Sequence, residues 1–233
     1  VSKQIGVIHQ NCYRIMRIIG NLMDIGRHEG GFLQAKLNNY DIVDLVRKIT
    51  LSVERYVEAK GIRLIFTTEL ESRIMACDPD MIERILLNLI SNAVKFTDRD
   101  GTITVSMKSD QNNILIDVKD TGVGIPQNKL NNIFQLFGKG DDPYRRNQEG
   151  SGIGLFLVRA FVEAHKGTIS VTSEEFKGTE FHISLPVHIV RDISTVHDEQ
   201  GFGDGTSSSG LPNLVNRINI EFSDIYSFPD HDV

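Results

Sequence analysis

Between Ile5 and Phe32, apolar side chains recur in steps of three and four at Ile8, Cys12, Ile15, Met16, Ile19, Leu22, Met23 and Ile25, the spacing of one helical face. The pattern predicts an amphipathic helix ending near Gly30 and Gly31. A single helix cannot bury such a stripe, so a partner helix or a second subunit is expected to cover it. Residues 41–60 predict a second helix, with Ile42, Leu45, Val46, Ile49, Val53 and Val57 inward and Gly61 as its stop. Residues 63–68 alternate like a strand. Asp78 then reads as an N-cap and Pro79 as the first residue of a third long helix.

Residues 101–107 and 114–119 predict neighbouring antiparallel strands joined by a polar turn at residues 110–113. Residues 128–137 suit a short helix, 138–150 a mobile loop, and 155–165 a helix closed by Lys166 and Gly167. Residues 168–172 and 179–185 complete a hairpin, and Pro186 ends the compact part. The glycine- and serine-rich residues 201–210 read as a flexible linker, and residues 214–228 carry enough apolar side chains to dock on the rest.

A chain of 233 residues is long enough to bury a sizeable core. Its net charge of −6, without a basic stripe, argues against a nucleic-acid partner. Cys12 and Cys77 lack metal-ligand spacing and make no disulfide framework. The longest apolar run, residues 85–90, is broken by Asn88 and falls far short of the roughly 20 residues that span a bilayer. No membrane contact is therefore expected for this segment, and a cytoplasmic location is. The chain begins at Val1 inside a helical pattern, which suggests a piece of a longer protein and leaves an upstream membrane anchor open.

The candidate chemistry lies in residues 78–156. On the third long helix Arg84, Asn88, Asn92 and Lys95 share one face, while Ile82, Ile85, Leu86, Leu89, Ile90 and Ala93 occupy another. Two amides and two cations on one wall suit a magnesium-bound polyphosphate, because magnesium takes oxygen ligands and a neutral amide leaves its charge free to act on phosphate. A solvated polar face is the competing reading of this helix taken alone. Asp120, at the end of a strand, can accept from an exocyclic amine such as that of adenine. Gly122 and Gly124 let the backbone approach a flat base. Gly150, Gly152 and Gly154 precede a helix, where exposed amides favour phosphate. For each glycine loop taken alone, a tight turn or hinge without a ligand competes.

Together these segments resemble the ATP-binding domain of two-component sensor histidine kinases, a branch of the Bergerat-fold superfamily that includes gyrase, mismatch-repair and heat-shock chaperone ATPases. Residues 88–96 are similar to the asparagine box, 120–125 to the first glycine box, 133–137 to the phenylalanine box and 150–155 to the second glycine box. The likeness runs from about residue 9 to residue 187. It implies an α+β protein, a two-layer α/β sandwich preceded by a dimerisation helix. The implied division is 1–34 for the second helix of a dimerisation and phosphoacceptor hairpin, 35–188 for the ATP-binding catalytic domain and 189–233 for a linker and tail.

By the same resemblance, Asn92 with support from Asn88 would ligate Mg2+, and Lys95 would touch phosphate, these three forming the catalytic set. Asp120, Gly122, Gly124, Ile125, Phe137, Lys139, Arg146, Gly150, Ser151, Gly152, Gly154, Leu155 and Thr179 would bind ATP. Residues 138–150 would form the ATP lid. Leu136, Lys139 and Gly140 depart from the family's phenylalanine-box pattern, and Arg145 or Arg146 is a candidate to compensate.

The superfamily's hydrolases carry a glutamate one turn before the magnesium asparagine, where it serves as general base. This chain has Asn88 there, and an amide cannot take the proton. Transfer to an imidazole, itself nucleophilic when neutral, fits better. The acceptor's His-Glu/Asp-Leu-Arg-Thr-Pro-type box is missing. His28 and Glu29 imitate its first two residues, but Gly30 and Gly31 follow; His9 and His28 read as surface or packing histidines. The resemblance thus implies a kinase that moves the γ-phosphoryl group of Mg-ATP to a histidine on an absent helix, then to an aspartate of a response-regulator receiver. A homodimer through the N-terminal helix is implied as well. The alternative is a nucleotide-sensing scaffold module without transfer.

Overall fold

The computed structural model of the chain describes residues 2–136, 152–190, 210–223 and 225. A long helix α1 (Ser2–Glu29) leads to a small antiparallel pair, β1 (Asn38–Asp41) with β3 (Ile74–Cys77). Between those strands lie α2 (Ile42–Ser52), α3 (Glu54–Glu58) and β2 (Arg63–Thr68). Then follow α4 (Pro79–Phe96), β4 (Thr102–Ser109), β5 (Asn113–Asp120), α5 (Gln127–Leu130), α6 (Gly154–Ala164), β6 (Thr168–Glu174), β7 (Gly178–Pro186) and α7 (Gly210–Glu221). The main sheet has the order β2-β4-β5-β7-β6; β2 runs parallel to β4 and every other pairing is antiparallel.

One face of that sheet builds the core because its strands alternate. Ile103, Val105 and Met107 of β4, Ile114, Ile116 and Val118 of β5, and Phe181, Ile183 and Leu185 of β7 all point inward and are buried. On the outer face Lys119 pairs with Glu180 and His182 with Asp117 across neighbouring strands. Helices α2, α4 and α6 form the second layer, with α4 packed between the other two and over β4 and β5. Ile82, Ile85, Leu86, Leu89, Ile90 and Ala93 of α4 are all in the core, as its periodicity predicts. Each fully buried aliphatic chain contributes roughly 1.5–3 kcal/mol. The fold is the expected two-layer α/β sandwich with an N-terminal helix.

The start of α4 follows from two residues. Asp78 caps it, accepting from the Asp80 and Met81 amides, and Pro79 occupies the first turn without a donor to lose. The other oxygen of Asp78 accepts from the Lys36 amide, and the Asp78 amide donates to His165 Nε2 at 3.0 Å. His165 Nδ1 lies 2.7 Å from the Phe161 carbonyl and must therefore carry the proton. This neutral imidazole joins the end of α6 to the cap of α4, and its burial pushes its pKa below the ordinary histidine value.

Some sequence expectations need correction. The helix expected over residues 41–60 is two helices, α2 and α3, broken at Val53 (φ −101°, ψ 0°), with Ile42, Val46, Ile49, Val53 and Val57 buried and Leu45 half-buried. The helix expected over residues 128–137 shortens to α5, followed by turns up to residue 136. Strands β1 and β3 have no counterpart in the sequence reading. The compact part also runs past Pro186: the Ala76 amide donates to the His188 carbonyl, and the Asn39 side chain bonds both backbone groups of Val190. Gly210, expected in a linker, opens α7.

Candidate functional site

The site is assembled where α4, the β5–α5 loop, the start of α6 and the β6–β7 turn converge. Asn88 and Asn92, one turn apart and half-buried, are joined by a 3.2 Å bond from Asn92 Nδ2 to Asn88 Oδ1. That bond turns the Asn92 amide so that its own carbonyl oxygen is left as an acceptor. Gly154, the first residue of α6, sits directly against Asn88; a Cβ there would fall 2.6 Å from Asn88 Oδ1 and 2.7 Å from Nδ2. Glycine at this position is thus set by close approach to the asparagine pair. Lys95, on the same side of α4, is half-buried with its ammonium 5.9 Å from the Phe96 ring centroid.

Asp120 lies at the end of β5 and is only 6% exposed. Its Oδ1 accepts from the Gly122 amide at 2.8 Å and the Thr179 amide at 3.3 Å, so these two bonds fix the carboxylate while Oδ2 takes no part in them. Burial pushes the Asp120 pKa upward, and the two amide bonds oppose that shift. The loop after it is wedged in place. A Cβ on Gly122 would fall 2.3 Å from the Phe96 carbonyl oxygen, and one on Gly124, at φ +68°, 2.0 Å from that of Glu174. The Val123 amide bonds the Phe96 carbonyl, its carbonyl receives the Phe176 amide, and the Ile125 amide donates to Ser173 Oγ.

Predicted residues Asn88, Asn92, Asp120, Gly122, Gly124, Ile125, Gly154 and Thr179 are thus brought into one region by direct contacts. Gly152, at φ +67°, and Leu155 flank Gly154 at the head of α6. Phe137, Lys139, Arg146, Gly150 and Ser151, with the expected lid over residues 138–150, lie outside the described residues. Arg84, read from sequence as part of the same wall, is instead occupied by α1. It pairs with Asp24 at 2.5 Å, reaches Asn21 at 3.5 Å and lies over the Phe161 ring.

Two supporting residues escaped the sequence reading. Gly178 (φ +108°) lets the β6–β7 turn press on β5, since a Cβ would fall 2.0 Å from the Asp120 carbonyl oxygen. Ser173 ties the Ile125 amide to the Gly178 carbonyl. Both act through pairings between distant segments, and a glycine beside Thr179 was the only local signal.

Chemically, the arrangement offers a neutral oxygen-ligand pair, a cation one turn away on the same helix, and a rigid buried carboxylate beside a loop that admits a flat ring. Residues 77–189 match the family described as Histidine kinase-, DNA gyrase B-, and HSP90-like ATPase. An uncharacterized sensor-like histidine kinase of Rhizobium meliloti is 31% identical over 182 residues, covering 78% of this chain and 35% of the relative. Histidine kinase P4 of Formosa agariphila is 34% identical over 192 residues, covering 80% of this chain and 14% of the relative. The chain thus spans about a third or less of the length of these curated relatives. Among solved structures, full-length ShkA in complex with AMPPNP superposes with a TM-score of 0.67 at 24% identity, over 76% of this chain and 37% of that one. The catalytic domain of histidine kinase ThkA superposes at 0.58 and 24% identity, over 65% of this chain and 98% of that one. The asparagine helix, the glycine loops and the family match agree: residues 77–189 form a domain of the histidine kinase-, DNA gyrase B- and HSP90-like ATPase family, and the relatives that resemble this chain over about four fifths of its length are named histidine kinases.

Proposed function

We propose that this chain is the catalytic part of a sensor histidine kinase, binding Mg-ATP and giving its γ-phosphoryl group to a histidine on a hairpin helix outside the present sequence. The observation that carries this reading is the Asn88–Asn92 pair, with Gly154 packed against Asn88 at the place where a hydrolase would keep its general base. Asn92 would hold magnesium through its amide oxygen with Asn88 behind it, and Lys95 would meet phosphate. Asp120 Oδ2 would accept from the adenine amine. When bound, magnesium supplies charge neutralisation on the phosphate oxygens.

The chain's own residues contribute positioning. The β6–β7 turn and the Phe96 carbonyl hold the base-reading loop, and the amides of Gly122 and Thr179 hold Asp120. In the transfer, a neutral imidazole nitrogen forms the bond to phosphorus as the bond to the β-phosphate oxygen breaks, and ADP leaves. With an amide at residue 88, water lacks an activating base there, which favours transfer over hydrolysis.

The division into hairpin helix (1–34), catalytic domain (35–188) and tail (189–233) belongs to this proposal. So does a homodimer through α1, supported by the exposed Ile8, Ile15, Ile19 and Leu22. Relay to a receiver domain is supported by a neighbour, histidine kinase ThkA, solved in complex with response regulator protein TrrA. No described helix is long and apolar enough to cross a membrane. The test mixes this chain with a longer one carrying the upstream residues and γ-labelled Mg-ATP. Acid-labile, base-stable label that disappears with Asn92→Asp and Asp120→Asn is expected. Nucleotide binding without label on either chain would overturn transfer and leave a sensing module.

A further inference from the structure

Helix α7 touches two bodies at once. Toward the sandwich, Arg217 bonds Asp80 at 2.8 Å and lies 3.3 Å from Glu83, both on α4. Asn219 accepts from the Tyr56 hydroxyl on α3, and Phe222, 1% exposed, packs its ring on Tyr56 with Ile218 buried beside it in the same core. Toward α1, its terminal carbonyls are taken up: Arg17 donates to the Glu221 carbonyl at 3.2 Å and Gln10 to the Ser223 carbonyl at 2.8 Å. A cation at the negative end of a helix adds to the attraction.

Contacts of α1 with α4 and α6 are made further along the helix, at Asn21, Asp24 and His28, which meet Arg84 and Phe156. Arg84 lies one turn before Asn88, and Phe156 two residues after Gly154, so this attachment is at the rim of the candidate site. From residue 10 to residue 24 the helix rises about 21 Å. An attachment at residues 21–28 alone would act as a pivot; the contacts of residues 10 and 17 with the end of α7, roughly 10–20 Å back along the helix, remove it.

We propose that α7 is an intramolecular strap that fixes the angle between α1 and the sandwich and thereby restrains phosphoryl transfer. The restraint rests on the kinase reading above, since a donor site at one end of a helix must swing to reach an acceptor elsewhere on the hairpin. The strap stays covalently tied to the sandwich, so it rebinds at high effective concentration after each release. Its loss changes how the two bodies move and leaves Asn88, Asn92 and Asp120 untouched.

The test uses the full chain with spin labels at two cysteines. Cys12 is exposed and native, and Ser170→Cys places a second on the exposed side of β6. Cys77 is buried, its thiol pushed up to about 12, and stays unlabelled. The distance distribution is expected to be narrow in the unaltered α7 and at least twofold wider with Ile218→Asp. In parallel, transfer to a supplied acceptor hairpin should rise at least threefold while nucleotide affinity changes less than twofold. Arg217→Ala, which leaves the apolar contact in place, should give a smaller change in the same direction. An unchanged width in Ile218→Asp, or a wider distribution without faster transfer, would overturn the proposal. Absence of nucleotide binding by the unaltered chain would sink the kinase reading and with it the restraint, while the widths still report whether α7 straps α1.

Discussion

Helices α1 and α4 are both amphipathic, and they bury largely opposite kinds of residue. In α4 the apolar face forms the floor of the sandwich core and the polar face carries Asn88 and Asn92. In α1 most of the apolar stripe points away, with Leu22 64% exposed and Ile25 turned into the core, while Asp24, at 6%, faces α4. A buried carboxylate is costly unless paired, and Arg84 supplies the pair. Periodicity therefore reports that a helix has two faces without saying which one the remainder of the chain will cover. In α4 the polar face is left over for ligand chemistry; in α1 it is the apolar face that is left over, which fits a hairpin and dimer partner.

The sharpest break in this comparison is at the polar face of α4. Asn92→Ala is expected to reduce phosphoryl transfer at least about 100-fold, in the range seen when one electrostatic transition-state contact is removed. It should leave folding largely intact, because Asn92 is half-buried and outside the apolar core. Single-turnover transfer with the label, beside a thermal melt, checks both. Retained transfer would move the metal role to another residue.

On the opposite face, Leu86→Ala should cost about 2–5 kcal/mol of stability, as for other large-to-small changes at fully buried sites. A urea titration reads it directly. Gly154→Ala joins the two faces of the argument. Its methyl would meet the Asn88 amide 2.6 Å away, so nucleotide affinity is expected to fall about tenfold, with about 1–3 kcal/mol lost to overpacking. Unchanged affinity would mean that Asn88 can move without consequence for the site.

How legible this site was depends on range along the chain. The start of α4 was readable because Asp78, Pro79 and the apolar period all lie within one helix. The asparagine pair and Asp120 were readable because they belong to local, ordered motifs. The break at Val53 was hidden, since Ile49, Val53 and Val57 keep helical spacing across it and no glycine or proline marks it. Strand β1, Asn-Asn-Tyr-Asp, is polar and four residues long, and it exists through its pairing with β3. The same holds for the Ser173 bond to the Ile125 amide, for Gly178 against Asp120 and for the Arg84–Asp24 pair: each is set by contacts between segments far apart in sequence, which periodicity does not encode.

The cap that starts α4 should make stability depend on pH. His165 must be neutral to accept from the Asp78 amide, and burial holds its folded pKa below the unfolded value of about 6.5. Above that pH neither state binds the proton, and the contribution is fully present. As pH falls below it, the unfolded chain takes up a proton that the folded chain refuses. Stability is then lost by up to about 1.4 kcal/mol per pH unit until the folded pKa is reached. Urea titrations from pH 7.5 to 5 are expected to show this slope, and His165→Gln should flatten it. A slope that survives the substitution would assign the titration to another group.

The smallest expected effect sharpens the comparison most. Leu22 lies on the exposed stripe of α1, away from Asp24 and Asn21, which face α4, and from Gln10 and Arg17, which bond the end of α7. Leu22→Asn removes a large apolar side chain, yet in a dilute monomeric chain the stripe has nothing to leave, so stability should change by no more than about 0.5 kcal/mol. A urea titration at low concentration, with sedimentation to establish the monomer, reads this value. At higher concentration, or with the upstream helix present, the same substitution should weaken self-association, since the side chain then passes from water into an interface. A loss of about 2 kcal/mol or more in the monomer would place Leu22 in the core and undo the contrast between the two helices.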